Sequence, residues 1–98
     1  MFFVTLTFGA NRGAAPRFLA AHKAWIAQGF SDGVFLLTGS LADGSGGAVL
    51  AHATSRESLD ARLAADPFVA EGIVAADVVE VAPGMTDARL AFLGPQSA

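Results

Sequence analysis

The chain has 98 residues, 53% of them apolar before its eleven glycines are counted, and a formal net charge of −3 with a pI near 5.0. This length suits a single domain, and the six Lys and Arg residues are scattered without forming a stripe, which argues against a nucleic-acid partner. No cysteine is present, so the composition excludes disulfides, thiolate catalysis and cysteine-based zinc sites.

The first predicted element is a β-strand. Residues 2–8, FFVTLTF, alternate with a period of two and are rich in aromatic and β-branched side chains. The same stretch lacks the basic region and the long apolar run of a signal peptide. No run in the chain approaches the ~20 apolar residues that span a bilayer, so we expect a cytoplasmic protein without a membrane anchor.

A helix is predicted after the loop GANRGAAP. Pro16 suits the first turn of this helix, and Gly29 is expected to mark its end. On the helical face between them, His22 lies among four large apolar side chains, Phe18, Leu19, Trp25 and Ile26. We expect the His22 ring to point toward the sheet and to have a specific hydrogen-bond partner, because an unpaired buried nitrogen costs about 1–3 kcal/mol.

The rest of the chain predicts a hairpin, a second helix and a last strand. The apolar runs VFLLTGSL and AVLAHA are joined by the glycine-rich ADGSGG and predict a β-hairpin. TSRESLDARLAA predicts a helix capped by Thr54 or Ser55, and IVAADVVEV predicts a strand that ends before Pro83. The tail, residues 84–98, contains TDARLAFL, which predicts a short helical turn that packs on the domain or on a partner.

The predicted order β-α-β-β-α-β indicates an α+β, ferredoxin-like fold with a four-stranded antiparallel sheet covered by helices on one face. The strands are apolar on both faces, whereas strands with one solvated face alternate with polar residues. Two sheets packed face to face would bury the second apolar face of each sheet. We therefore expect a homodimer at least.

Three segments carry a recognisable combination: AHKAWI on the first helix, GFSDGVFLLTGSL through the second strand, and GGAVLAHATSRESLDARLAADPFVAEGI through the second helix. Over residues 1–83 the chain resembles the YCII-related family of the dimeric α/β-barrel superfamily. The resemblance implies one ferredoxin-like domain that pairs into a barrel, with a pocket between the sheet and the first helix. It also implies a pair formed by His22 and Asp66 with Ser40 nearby, and relatives that resemble lyases or dehydrochlorinases acting on small ring compounds.

His22 and Asp66 are the candidate catalytic residues, and each has a structural alternative. An imidazole, with a reference pKa of roughly 6.5, suits proton transfer near neutral pH, but His22 could equally fill the core against a backbone carbonyl. Asp66 precedes Pro67 and could cap a helical turn, orient His22, or do both with its two oxygens.

Ser40 and Trp25 are the candidate substrate-binding residues, although Ser40 could merely start a turn and Trp25 could belong to the core. His52 is expected to face solvent, and no ligand spacing supports a metal site. The loop GSGG precedes a strand instead of a helix, so it predicts a flexible hairpin and not a phosphate cradle. Three further carboxylates are weaker candidates: Asp32, Asp43 and Asp77.

The favoured hypothesis is a small enzyme of the lyase or isomerase type. In it His22 is the general base, Asp66 orients its ring, and Ser40 holds a substrate oxygen. Nothing in the chain requires a cofactor, and the expected partners are a small organic ligand and a second copy of the chain. The alternative is a non-catalytic module that binds a small ligand or another protein, which fold alone does not distinguish from an enzyme.

Overall fold

One antiparallel sheet of four strands organises residues 1–94, the part of the chain that the computed structural model describes. The strands are β1 (Phe2–Phe8), β2 (Phe35–Ser40), β3 (Gly46–Ala51) and β4 (Val74–Glu80), in the spatial order β2-β3-β1-β4. The two central strands, β1 and β3, pair antiparallel, and β1 also pairs antiparallel with β4.

The helices lie on one face of this sheet. They are α1 (Ala15–Ser31), α2 (Arg56–Ala64) and the short α3 (Pro67–Ala70), and a 3₁₀ turn, Arg12–Ala14, leads into α1. The main elements follow the predicted order β-α-β-β-α-β. The predicted α+β, ferredoxin-like fold is therefore confirmed.

Alternation along β1 separates the two faces of the sheet. Phe2, Val4 and Leu6 point toward the helices and are at most 4% exposed, whereas Phe3 points to the opposite face and is 48% exposed. The core consists of these inward side chains and those of the helical layer, with Leu59 completely buried. The opposite face is uncovered in the single chain.

The prediction that Gly29 ends the first helix is wrong. Gly29 lies inside α1, which continues to Ser31, and it is buried. A Cβ at this position would overlap the ring of Phe35, which is 3% exposed. Gly29 is therefore explained by a close approach between α1 and β2 and not by helix termination.

One strand boundary differs from the prediction, and the cap of the second helix is one of the two residues predicted for it. β3 begins at Gly46, inside the predicted connection, because the ladder with β1 extends to the Thr7–Gly46 pair. Ser55 caps α2 by accepting a hydrogen bond from the Ser58 backbone N–H at 3.0 Å.

The C-terminal segment contains a 3₁₀ helix, Ala88–Leu93. The ring of Phe92 meets that of His52 edge-on, with 5.5 Å between the ring centroids. Of the predicted tail, residues 95–98 lie outside the described residues. Across residues 1–94, none of the helices combines the length and the apolar character that crossing a membrane requires.

Candidate functional site

His22 lies on the face of α1 that is turned toward the sheet, and its side chain is 13% exposed. The Phe68 ring stacks on the imidazole with 3.9 Å between the centroids and 3° between the planes. The Trp25 indole lies 5.8 Å away at 21°. These aromatic contacts hold the imidazole in one plane; Trp25 was expected on this face from the helical spacing, whereas Phe68 comes from α3.

Asp66 holds one nitrogen of that imidazole. The distance between His22 Nδ1 and Asp66 Oδ1 is 2.7 Å, although 44 positions separate the two residues. Asp66 is completely buried, and it is also the N-cap of α3, where Oδ1 accepts the backbone N–H of Phe68 at 3.0 Å. Both structural possibilities raised for Asp66 therefore occur together, and they use the same oxygen.

The second oxygen of the carboxylate, Asp66 Oδ2, is buried and has no hydrogen-bond partner within residues 1–94. An ionised carboxylate in such a position depends on its remaining partners, because burying a charge without compensation is costly. His22 is the one side chain among the described residues that hydrogen-bonds Asp66. The two side chains are thus structurally interdependent.

A cavity of about 350 Å³ lies between α1 and the sheet, and His22 forms part of its wall. No residue among 1–94 hydrogen-bonds Nε2, the other ring nitrogen. The remaining wall is mainly apolar, with side chains from β1, α1, β3, α3 and β4, among them Leu6, Phe8, Leu19, Ile26, Val49, Phe68 and Val74. A small, largely apolar ligand in this space would meet the imidazole.

The predicted binding residues Ser40 and Trp25 both line this cavity. The Trp25 indole N–H is already used, since it donates to the backbone oxygen of Arg62 at 2.9 Å, so Trp25 offers a ligand its ring surface. Thr38 also lines the cavity and was missed by the sequence analysis. Strand alternation could have identified Thr38, because Thr38 and Ser40 are two residues apart on β2 and share one face.

The other polar candidates lie away from the imidazole pair. His52 is half-buried because its ring packs edge-on against Phe92, so it faces solvent only in part. Asp43 accepts the Ser45 backbone N–H at 3.0 Å in the hairpin turn, and hydrogen bonds from Ser45 lower the pKa of Asp43. Asp77 is exposed on β4.

Asp32 joins the end of α1 to α2. Its carboxylate accepts hydrogen bonds from the Gln28 amide at 2.7 Å and from the Arg62 guanidinium at 3.0 Å. These two hydrogen bonds lower the pKa of Asp32. Within residues 1–94, no group of three or more His, Asp or Glu side chains is arranged to hold a metal ion.

Comparison with known proteins places this geometry in context. The family model described as the YCII-related domain matches residues 1–83. A similar solved structure is that of 5-chloro-2-hydroxyhydroquinone dehydrochlorinase from Burkholderia phenoliruptrix AC1100 in complex with 2,5-dihydroxybenzoquinone. The match has a TM-score of 0.67 and 19% sequence identity, and it covers 86% of this chain and 96% of that chain, so the two share a fold. No curated protein matches the chain significantly in sequence.

Proposed function

We propose that this chain, which belongs to the YCII-related family, is a small-molecule enzyme of the lyase or isomerase type. The observation that carries the proposal is the 2.7 Å contact between His22 Nδ1 and the buried Asp66 Oδ1, made by an imidazole that lines a cavity. Buried acid–base pairs at the wall of an apolar cavity are a common arrangement for proton transfer.

The proposed base is Nε2 of His22. An ionised carboxylate accepts hydrogen bonds and cannot donate one, so Asp66 holds the proton of a neutral imidazole on Nδ1 and leaves the lone pair on Nε2. Nε2 has no partner among the described residues and is therefore free to take a proton from a substrate in the cavity. Asp66 acts as a positioning residue in this scheme.

We extend the proposal to elimination from a small ring compound that is similar to the substrate of the dehydrochlorinase that shares the fold. In such a step the base removes a proton, the electrons of the broken bond form a new double bond, and chloride leaves with the electron pair of the carbon–chlorine bond. The step balances without an oxidant, a reductant or a cofactor. The Ser40 hydroxyl is placed on the cavity wall, where it can hold a ring oxygen.

The proposal is tested by chloride release from 5-chloro-2-hydroxyhydroquinone. We expect His22→Gln to lower the rate by about 10²–10⁴-fold, because the substitution removes the base and keeps a side chain of similar size. His52→Gln is the matched control, since His52 lies outside the cavity lining, and its rate should equal that of the unmodified protein. An unchanged rate in His22→Gln would show that His22 is not the base.

Asp66→Asn tests whether Asp66 positions the His22 ring, and NMR of the ring nitrogens provides the readout. The ¹⁵N shifts of the His22 ring report which nitrogen carries the proton, and we expect Nδ1–H in the unmodified protein and a mixture of tautomers in Asp66→Asn. Binding of the ring compound without chloride release in the unmodified protein would instead favour the non-catalytic, ligand-binding alternative.

We also propose that the chain forms a homodimer through the uncovered face of its sheet. Three large apolar side chains on that face are about half exposed: Phe3 at 48%, Leu37 at 55% and Val79 at 59%. Pairing with a second copy would remove this apolar surface from water. The two cavities would remain on the helical sides of the sheets, since each is formed between α1 and its own sheet.

A further inference from the structure

The cavity wall contains no Asp, Glu, Lys or Arg side chain among the described residues, and its polar side chains are His22, Thr38 and Ser40. The wall therefore offers no fixed positive charge to a ligand. A charged ligand would have to find its counter-charge at the mouth of the cavity.

Arg12, an exposed residue outside the lining, lies beside two residues of the cavity wall. Its guanidinium carbon lies 4.2 Å from the centroid of the Phe8 ring, and its Nη2 donates to the backbone oxygen of Gly44 at 3.4 Å. Phe8 and Gly44 are both part of the cavity wall, one from β1 and the other from the turn between β2 and β3. The Arg12 side chain thus bridges two parts of the cavity wall that come from different elements.

The backbone that carries Arg12 is held in place by hydrogen bonds. The Asn11 side-chain amide donates to the Glu71 backbone oxygen at 2.7 Å, and the Gly9 N–H donates to the Ile73 oxygen at 2.9 Å. The Arg12 N–H donates to the Gly9 oxygen at 3.2 Å. These bonds tie the segment to the chain around α3 and β4, and they set where the guanidinium can reach.

The charge of Arg12 is not neutralised within residues 1–94. Arg56, Arg62 and Arg89 each form an ion pair with an aspartate, whereas Arg12 and Arg17 form none among the described residues. Asp43, which precedes Gly44, has Oδ1 engaged by the Ser45 N–H and makes no ion pair with Arg12. Of the five N–H donors of the guanidinium, one makes a long hydrogen bond to a neutral carbonyl.

We infer that Arg12 is a specificity residue that selects ring compounds carrying an anionic group, a carboxylate or a ring oxyanion, at the end that faces the cavity mouth. The inference rests on the proposed function, because it names the substrate class of the same cavity. The guanidinium would exchange its weak bond to Gly44 for two parallel hydrogen bonds to the anion. The aromatic surface of Phe8 beneath the guanidinium keeps it at the opening.

Binding of benzoate and of its neutral analogue benzamide tests this assignment. Trp25 is the chain's single tryptophan and lines the cavity, so its indole N–H resonance reports occupation of the cavity by either probe. We expect benzoate to bind about tenfold more tightly than benzamide, and this preference to fall in high salt.

Three variants of the chain identify the residue responsible. We expect Arg12→Gln to remove the preference for benzoate while leaving benzamide binding unchanged, and Arg12→Lys to restore part of it. Arg17→Gln is the matched control, because Arg17 stands over the Phe18 ring at 5.5 Å and neither residue lines the cavity. The control should keep the full preference.

The results that would contradict the role of Arg12 differ from those that would contradict the proposed function. Equal binding of the two probes, or an undiminished preference in Arg12→Gln, would overturn the role of Arg12 and leave the proposed cavity site intact. If neither probe shifts the Trp25 resonance, the cavity does not accept small rings, and both the role of Arg12 and the proposed function would be contradicted.

Discussion

The carboxylate of Asp66 connects the start of a short helix with the imidazole at the cavity wall. Its Oδ1 caps α3 and holds His22, while Oδ2 has no partner within residues 1–94. A buried acceptor left unpaired costs about 1–3 kcal/mol, which is unusual for a residue that serves only as a cap. Capping alone does not require an aspartate, since Ser or Asn would supply it as well, so the carboxylate is better explained by its contact with His22.

Residue-level electrostatics also predict an acid-sensitive link between two helices. Hydrogen bonds from Gln28 and Arg62 lower the pKa of Asp32 below its ordinary value of 3.8. A group whose pKa is lower in the folded state stabilises the fold above its unfolded pKa, and this contribution is lost as the pH falls through the folded pKa. The link between Asp32 and Arg62 should therefore be intact at neutral pH, weaken below about pH 4 and be lost as the pH falls through the lowered pKa of Asp32.

A double-mutant cycle of Asp32→Asn and Arg62→Gln measures this link by urea unfolding as a function of pH. We expect a small favourable coupling at about pH 7 that decreases as the pH falls below about 4. The coupling is small because both side chains are partly exposed and the solvent screens their charges. A coupling that grew on acidification would contradict the assigned direction of the pKa change.

At the level of elements, the contact between α1 and β2 depends on a missing side chain. Gly29 lets the helix backbone approach the ring of Phe35, which is itself packed edge-on against Trp25 at 5.1 Å and Phe30 at 6.1 Å. Because Trp25 also lines the cavity, this approach helps to set the position of the cavity wall. The glycine is thus a packing requirement in the middle of a helix.

Gly29→Ala should destabilise the protein by about 1–3 kcal/mol, because the added methyl group overlaps a buried ring that cannot move aside. Helix propensity alone would favour alanine by about 1 kcal/mol, so the sign of the change tests the packing argument. Gly13→Ala is the control, since no atom lies within 4 Å of a Cβ built there. Urea unfolding measures both, and a more stable Gly29→Ala protein would disprove the steric argument.

For the whole molecule, the two faces of the sheet differ in their surroundings. One face is covered by helices and forms the core, and the other exposes Phe3, Leu37 and Val79. The tail adds further exposed apolar side chains, with Met85 at 87% and Phe92 at 56%. A single chain therefore leaves much of its apolar composition in water, which is the basis of the proposed dimer.

The dimer is tested by light scattering after size-exclusion chromatography. We expect twice the chain mass of 10.0 kDa for the unmodified protein and a shift toward the single-chain mass for Val79→Lys. Val79 is on the edge strand β4 and 59% exposed, so a lysine there does not disturb the core of the chain. Ala24→Lys, at an exposed position of α1, should remain a dimer, and a single-chain mass for the unmodified protein would refute the proposal.

The sequence by itself determined the types and order of the main elements and the position of His22 on an apolar helical face. These features depend on periods of two and 3.6 residues and on capping residues, which are local properties of the chain. Asp66 was also recognisable as a cap before Pro67 from its immediate neighbours. The pairing of Asp66 with His22 came from family resemblance and not from the residues alone.

Only the tertiary structure brought together residues that are far apart in the chain. The contact of His22 with Asp66, the position of Arg12 over Phe8 and Gly44, and the approach of Gly29 to Phe35 depend on strand register and on how α1 lies across the sheet. Register and helix placement result from the packing of the whole core at once. A local pattern cannot encode them, because a shift of one residue along a strand would leave the same sequence periodicity and move each side chain to the other face.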